Sequence, residues 1–464
     1  MNEKKDGSRV HDAPTAAGWA EFMKTGWAPT PLQGNAPSPA IPFTRTRREN
    51  LSKNYVGTRL IIPAGAAKVR SNDTNYRFRA HSAFAWLTGI TASDSVPDSV
   101  LIMEPEGSSH RSLLFIHPRS SRATDEFFRN AEHGEFWIGR RMTQEETELR
   151  YGIEVRHLDT LEDFLKEKKQ SLILRGQDPT VDALVDINTE DEKAFLTHLS
   201  EARLIKDSYE IAEMQKAIDI TIRGFADMVK VLPKASATAK GERVIEGAFF
   251  SRARLEGNDL GYDTIAASGA HACILHWIKN DGDVLPGDLI LIDAGVEVES
   301  YYTADVTRTL PVNGKFSDAQ RKIYQLVFDA QKAAYDTIKP GVKFSAVNAA
   351  AQKVMAYGLA ELGVLPIDAE ESLKPEAGHH RRWTVHGTSH HLGIDVHDCH
   401  QARKEHYSEG LIEEGMIFTV EPGLYIHPDD ELFPVEYRGI GVRIEDDILV
   451  TKDGCKILTS ALPA

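Results

Sequence analysis

Between about residues 43 and 195, short apolar runs alternate with segments of helical period. Arg59–Pro63, Ser99–Met103 and Ser112–Ile116 read as buried strands and Leu161–Lys168 as a helix, which predicts an α/β domain. The period then changes. From Asp207 to Leu232, Ile211, Met214, Ile218, Ile222, Phe225 and Val229 recur at three- and four-residue steps, the stripe of a long amphipathic helix, so a domain boundary is expected near residue 200. Farther along, Ser317–Gln320 has the form of a capping box opening a helix that ends near Ile338, before Pro340-Gly341. A second helix is predicted from Ser345 to about Leu362. Strands are predicted over Leu289–Asp293, Asp305–Leu310, Met416–Glu421 and Val442–Val450. The chain thus divides into residues 1–42, 43–198 and 199–464. The first segment is polar and carries Pro29, Pro31, Pro37, Pro39 and Pro42, which predicts an extended arm anchored by Trp19, Phe22 and Trp27.

The strands of the third segment contain an anomaly. Asp293, Asp305, Glu421 and Glu445 all fall in apolar surroundings, and His390 sits in a nearby His-Gly-Thr-Ser-His run. Ionised carboxylates are costly to remove from water without a cationic partner. Two divalent ions balance four carboxylates, and an oxygen-rich set with one imidazole and no thiolate favours a cation such as Mn²⁺ over structural zinc. Paired metals activate a water and polarise a carbonyl, so the set predicts a hydrolase. Glu421 is the candidate general base. His276, His386 and His397 are candidates to hydrogen-bond the oxyanion or the substrate carbonyl. Two strand pairs, each with two acids, also suggest an internal duplication.

Composition narrows the class further. The 464 residues carry a formal net charge of -15, which argues against nucleic acid or an anionic membrane as partner. Cys273, Cys399 and Cys455 show no zinc-type spacing and suit a reducing compartment. With no apolar run of signal-peptide or membrane-spanning length, the expectation is a cytoplasmic protein.

Motifs spread over the third segment resemble one family. Tyr262-Asp-Thr-Ile, Cys273-Ile-Leu-His276, Leu291-Ile-Asp293-Ala-Gly, Asp305-Val-Thr-Arg-Thr, His386-Gly-Thr-Ser-His390, Glu421-Pro-Gly-Leu-Tyr425 and Arg443-Ile-Glu445-Asp-Asp occur in the order found in pita-bread metallopeptidases of family M24, aminopeptidase P above all. The resemblance implies an α+β pita-bread catalytic domain. His390 and Glu421 would hold one ion, Asp293 the other, and Asp305 and Glu445 would bridge. It also implies that Tyr425 and Arg443 lie near the substrate, and that His390, which keeps the His-Gly-x-x-His spacing, is the ligand in preference to His391.

Residues 43–198 resemble the aminopeptidase P N-terminal domain through Arg70–Arg79, Ser82–Gly89 and Phe136–Arg141. In oligomeric members, residues at the positions of Asp73 and Trp137 close a neighbouring subunit's site, so a homo-oligomer, dimer or tetramer, is implied. Asp293 and Asp305 lie one position farther apart than the family pattern, with the extra residue in Val296–Tyr302. A one-residue slip would turn Asp305 to the wrong face, so the expectation is that a turn or bulge absorbs it. The resemblance implies removal of the N-terminal residue from peptides with proline second. A prolidase restricted to Xaa-Pro dipeptides and a noncatalytic binding module of the same fold are the alternatives.

Overall fold

The computed structural model describes residues 16–29 and 36–464. The chain forms two compact units, one up to Leu196 and one over Thr197–Ala464. Each has its own core.

The first unit is built on a five-stranded sheet in the order Glu154–His157, Ser109–Ile116, Val100–Glu106, Arg59–Pro63, Ser171–Ile173. The middle pairs are antiparallel and both edge strands pair in parallel. Ile61, Ile102, Leu113 and Phe115 pack under the helix Leu161–Leu165. The expected arm is partly helical instead. Ala17–Met23 forms a helix, Trp19 packs edge-on against Phe128, and Trp27 meets Phe127 and Phe136. Phe22 stays 76% exposed. A second helix, Ile41–Asn54, begins with Pro42 in its first turn, where the missing N–H costs nothing because no intrahelical acceptor faces it. Residues 1–15 and Pro31 lie outside the described residues.

In the second unit the element order repeats. The helices Ser208–Ser236 and Gly241–Glu256 precede an antiparallel sheet ordered Val306–Pro311, Leu289–Ala294, Ile265–Ser268. The helices Asp318–Tyr335 and Ser345–Glu361 precede a second one ordered Ile417–Val420, Asp446–Thr451, Gly454–Ile457. Both long helices open on capping boxes, Asp207 with Glu210 and Ser317 with Gln320. Ile323, Val327, Val347, Met355, Phe418 and Ile448 share one buried cluster, so the second helix pair covers the second sheet. No helix among the described residues is long and apolar enough to cross a membrane.

The link between Asp293 and Asp305 closes as a hairpin. Tyr301 donates its N–H to the Val298 carbonyl, Val298 donates to Tyr302, and Tyr301 takes a left-handed φ of 71°. That is a type I turn followed by a bulge residue, the usual three-residue hairpin loop, with a buried tyrosine where glycine is normal. Tyr302 and Ser300 donate their hydroxyls to Glu210 and Glu213 of the long helix, at 2.8 and 2.7 Å, which holds the loop down. The register beyond it is intact, with Asp293 opposite Thr307.

Candidate active site

Strands deliver the four acids in two ways. Asp293 lies within Leu289–Ala294, and Asp305 directly precedes Val306–Pro311. Glu421 and Glu445 instead sit where strands break. Ile417–Val420 stops before Glu421-Pro422 and pairing resumes at Gly423–Tyr425, because a proline cannot donate to the ladder. The single strand expected over Val442–Val450 is correspondingly two, Gly441–Arg443 and Asp446–Thr451, with Glu445 in the gap. There its N–H donates to the Thr307 carbonyl at 3.1 Å, which ties the second strand set to the first.

The side chains converge. Among the described residues, ligand atoms of Asp305, His390 and Glu445 all lie within 4.8 Å of one another. His390 Nε2 is 3.3 Å from Asp305 Oδ2 and 3.5 Å from Glu421 Oε1. Its Nδ1 donates to the His391 carbonyl at 3.2 Å, which turns Nε2 toward the acids. The Tyr262 hydroxyl contacts both Asp293 and Asp305, so the two carboxylates face one point and the extra hairpin residue has not turned Asp305 away. Arg443 donates through Nη2 to Asp293 at 2.5 Å and through Nη1 to the Tyr425 hydroxyl at 3.0 Å, and that hydroxyl meets His386 Nε2 at 2.7 Å. Thr307 donates to Glu445 at 2.7 Å.

The electrostatics are those of acids crowded out of water. Burial, then repulsion from Asp305, raises the Glu421 pKa to about 7 despite His390 and Arg443. Burial with repulsion from Asp305 and Glu421 lifts Glu445 well above the usual carboxylate range, and Asp305 is raised by burial and Asp293. For His390 burial works against the charged form, but Asp305 and Glu421 outweigh it and bring the pKa to about 9. His386 and His397 are held neutral near pH 7: burial, helped by Arg443 and His390 respectively, lowers each to about 4. A donor set of carboxylates and one imidazole, with protons standing in for missing positive charge, fits hard or borderline divalent cations.

A cavity of about 620 Å³ opens onto this cluster, lined by Asp293, Asp305, His390, Glu421 and Glu445 together with His276, His386, His397 and Arg443. Tyr425 is not among the lining residues. It is 3% exposed and holds Arg443 and His386 from behind, so its expected contact with substrate becomes support for two residues that do line the cavity. His391 is fully buried against Phe344, with ring centroids 4.8 Å apart, and has no place at the cluster. Asp73 and Trp137 belong to the first unit and are not among the lining residues. Asp73 is exposed in the turn between Val69–Ser71 and Thr74–Asn75, and Trp137 is 45% exposed with its indole N–H on the Phe128 carbonyl. Tyr262 and Thr307 carried no expected role, since nothing in their local sequence shows that their hydroxyls meet acids far along the chain.

Residues 212–452 match the model of metallopeptidase family M24, and residues 44–173 match that of the aminopeptidase P N-terminal domain. Xaa-Pro aminopeptidase 1 of Streptomyces coelicolor is 50% identical over 447 residues, 96% of this chain and 89% of its own. Xaa-Pro aminopeptidase of Escherichia coli K12 is 34% identical over 448 residues, 90% and 94% of the two chains. Among solved structures, E. coli aminopeptidase P in its low-pH form superposes with a TM-score of 0.79 at 31% identity, covering 90% of this chain and 95% of that one. The convergent acids and the two-unit fold agree with these matches, and the chain belongs to metallopeptidase family M24, with the aminopeptidase P type of N-terminal domain, and is a hydrolase.

Proposed function

We propose that this chain is an Xaa-Pro aminopeptidase, removing the N-terminal residue from peptides with proline second by means of two divalent ions, Mn²⁺ by preference. The observation that carries the reading is the meeting of Asp293, Asp305, His390, Glu421 and Glu445 at one cavity in a chain half identical to an Xaa-Pro aminopeptidase along nearly all its length. Those five residues would hold the ions. When bound, the ions polarise the scissile carbonyl and make water nucleophilic near neutral pH.

The bond before proline is a tertiary amide without an N–H, so a site that grips through that donor has nothing to hold. The cavity supplies alternatives. His276 and His397 on its wall donate hydrogen bonds to the substrate carbonyl as negative charge builds there. Glu421 takes the proton of the attacking water and returns it to the leaving proline nitrogen. Arg443 fixes Asp293 and, through Tyr425, the ring of His386. Homo-oligomers in which exposed Asp73 and Trp137 complete a neighbouring copy's cavity, in the cytoplasm, belong to the same reading.

Hydrolysis of an Xaa-Pro dipeptide and of a longer Xaa-Pro peptide, after chelation and again after Mn²⁺ addback, tests it. Both peptides should be cleaved only with metal, and Asp293→Ala or Glu421→Ala should abolish turnover. Cleavage of the dipeptide alone would make the protein a prolidase, and metal-indifferent turnover would remove the mechanism.

A further inference from the structure

The loop carrying His276 has an unusual anchor. Glu242, in the first turn of Gly241–Glu256, is fully buried, yet among the described residues no lysine or arginine is one of its hydrogen-bond or ion-pair partners. Its carboxylate accepts four hydrogen bonds. Oε1 takes the Ser268 N–H and His271 Nδ1, both at 2.8 Å; Oε2 takes the Trp277 indole N–H at 2.9 Å and the Gly282 N–H at 2.7 Å. The Glu242 N–H in turn donates to the Gly282 carbonyl at 3.2 Å. Ser268 and Gly282 are the two ends of the loop, and His271 and Trp277, stacked 3.8 Å apart, lie inside it.

The fit leaves no slack. A Cβ at Gly282 would stand 2.6 Å from the His271 ring and 2.8 Å from Glu242 Oε1. Asn280, left-handed at φ 47°, donates to the Thr264 carbonyl and accepts from Ala266, a second tie to the strand before the loop. Between His271 and Asn280 runs the stretch from Ile274 to Lys279, pinned midway by Trp277, and its Leu275, His276 and Ile278 line the cavity. A buried carboxylate with every acceptor direction used is a rigid node, and losing it would leave several donors unsatisfied at once.

We infer that Glu242 is a positioning residue for the peptidase reaction, acting by clamping the 268–282 loop so that His276 and its apolar neighbours form the wall against which substrate is held. The inference rests on the role given to His276 above. Glu242→Gln puts an amide NH₂ against two of the four donors, and Trp277→Phe removes one donor while keeping the aromatic stack. Glu242→Gln should lower kcat/KM for an Xaa-Pro peptide about tenfold and Trp277→Phe by less, with metal stoichiometry unchanged. In a His276→Ala background the Glu242→Gln loss should shrink to less than about twofold, since residues acting through one another are not additive. Amide hydrogen exchange across 269–282, which needs no activity, should speed up in both single variants.

Equal losses in the two backgrounds, or unchanged exchange, would overturn the clamp. Should Glu242→Gln not fold, Trp277→Phe alone decides by the same two readouts. A near-normal rate for His276→Ala would instead strike the role of His276, and the clamp's part in catalysis with it.

Discussion

Tyr262 contacts two carboxylates with one hydroxyl, which has a single proton to give. One of Asp293 and Asp305 can accept it, and the hydroxyl holds both carboxylates to one point. Tyr262→Phe should therefore weaken metal binding by about ten- to a hundredfold, the usual range for a group that orients ligands, as read by metal titration. An affinity unchanged by the variant would show the hydroxyl to be a bystander. The acids themselves are legible in sequence because charge inside an apolar strand is an anomaly that demands an explanation. Tyr262 is not, since a tyrosine beside a strand is ordinary, and only the folded chain brings it to Asp293 and Asp305. Tyr425 illustrates the converse: its motif marks its neighbourhood, but whether it faces the cavity or stands behind the wall depends on the hydrogen bond to Arg443.

The elements that matter most are the paired strands around Asp293 and Asp305, and Gly295 sits between them. A Cβ there would lie 1.7 Å from the Ala304 carbonyl oxygen and 3.0 Å from the Tyr262 ring. Backbone cannot yield as a flexible side chain can, so Gly295→Ala should destabilise the protein by more than about 2 kcal/mol and lower metal affinity with it, measured by denaturant unfolding and metal titration. A stable variant with normal metal uptake would show that the hairpin can open. One helix announces its start through a capping box, and the Ser317–Gln320 box forms as read, while the Asp207–Glu210 box goes unread. The two element-level misreadings concern proline and strand breaks. Proline-rich sequence resembles an extended arm, yet Pro42 stands in the one turn of a helix that tolerates it. An apolar run through Glu445 looks continuous, yet the strand changes partner at the acid, from Gly423–Tyr425 to Ile417–Val420.

At the scale of the molecule, pH and metal are linked. Glu421 has a folded pKa near 7, above its ordinary value of 4.5. The stabilising contribution of its bound proton is thus fully present below about pH 4.5 and lost as pH rises through 7, adding a further buried negative charge to the crowded acids of the metal-free protein. Divalent ions offset that charge, so the rise in Tm on adding Mn²⁺ should be larger at pH 8 than at pH 5.5. Equal rises at the two values would mean that binding releases no proton in this window. Exposed Trp137, flanked by exposed Phe136 and Ile138, belongs to this scale as well. If copies associate as proposed, Trp137→Ala should lower kcat/KM and reduce the mass measured by light scattering, and a variant with the parent's activity and mass would remove the proposed contribution from a neighbouring copy.

The contact between Thr307 and Glu445 spans 138 positions of sequence, and the proposed ions would join the same two strand sets. An ion held in common by segments so distant acts as a removable cross-link, closing a long loop in the way a disulfide does but answering to metal supply instead of redox state. Under metal scarcity the two halves of the fold would lose a shared tie as well as their chemistry. Local opening and proteolytic turnover would then rise together, so the amount of enzyme in a cell would follow the availability of the ion it uses.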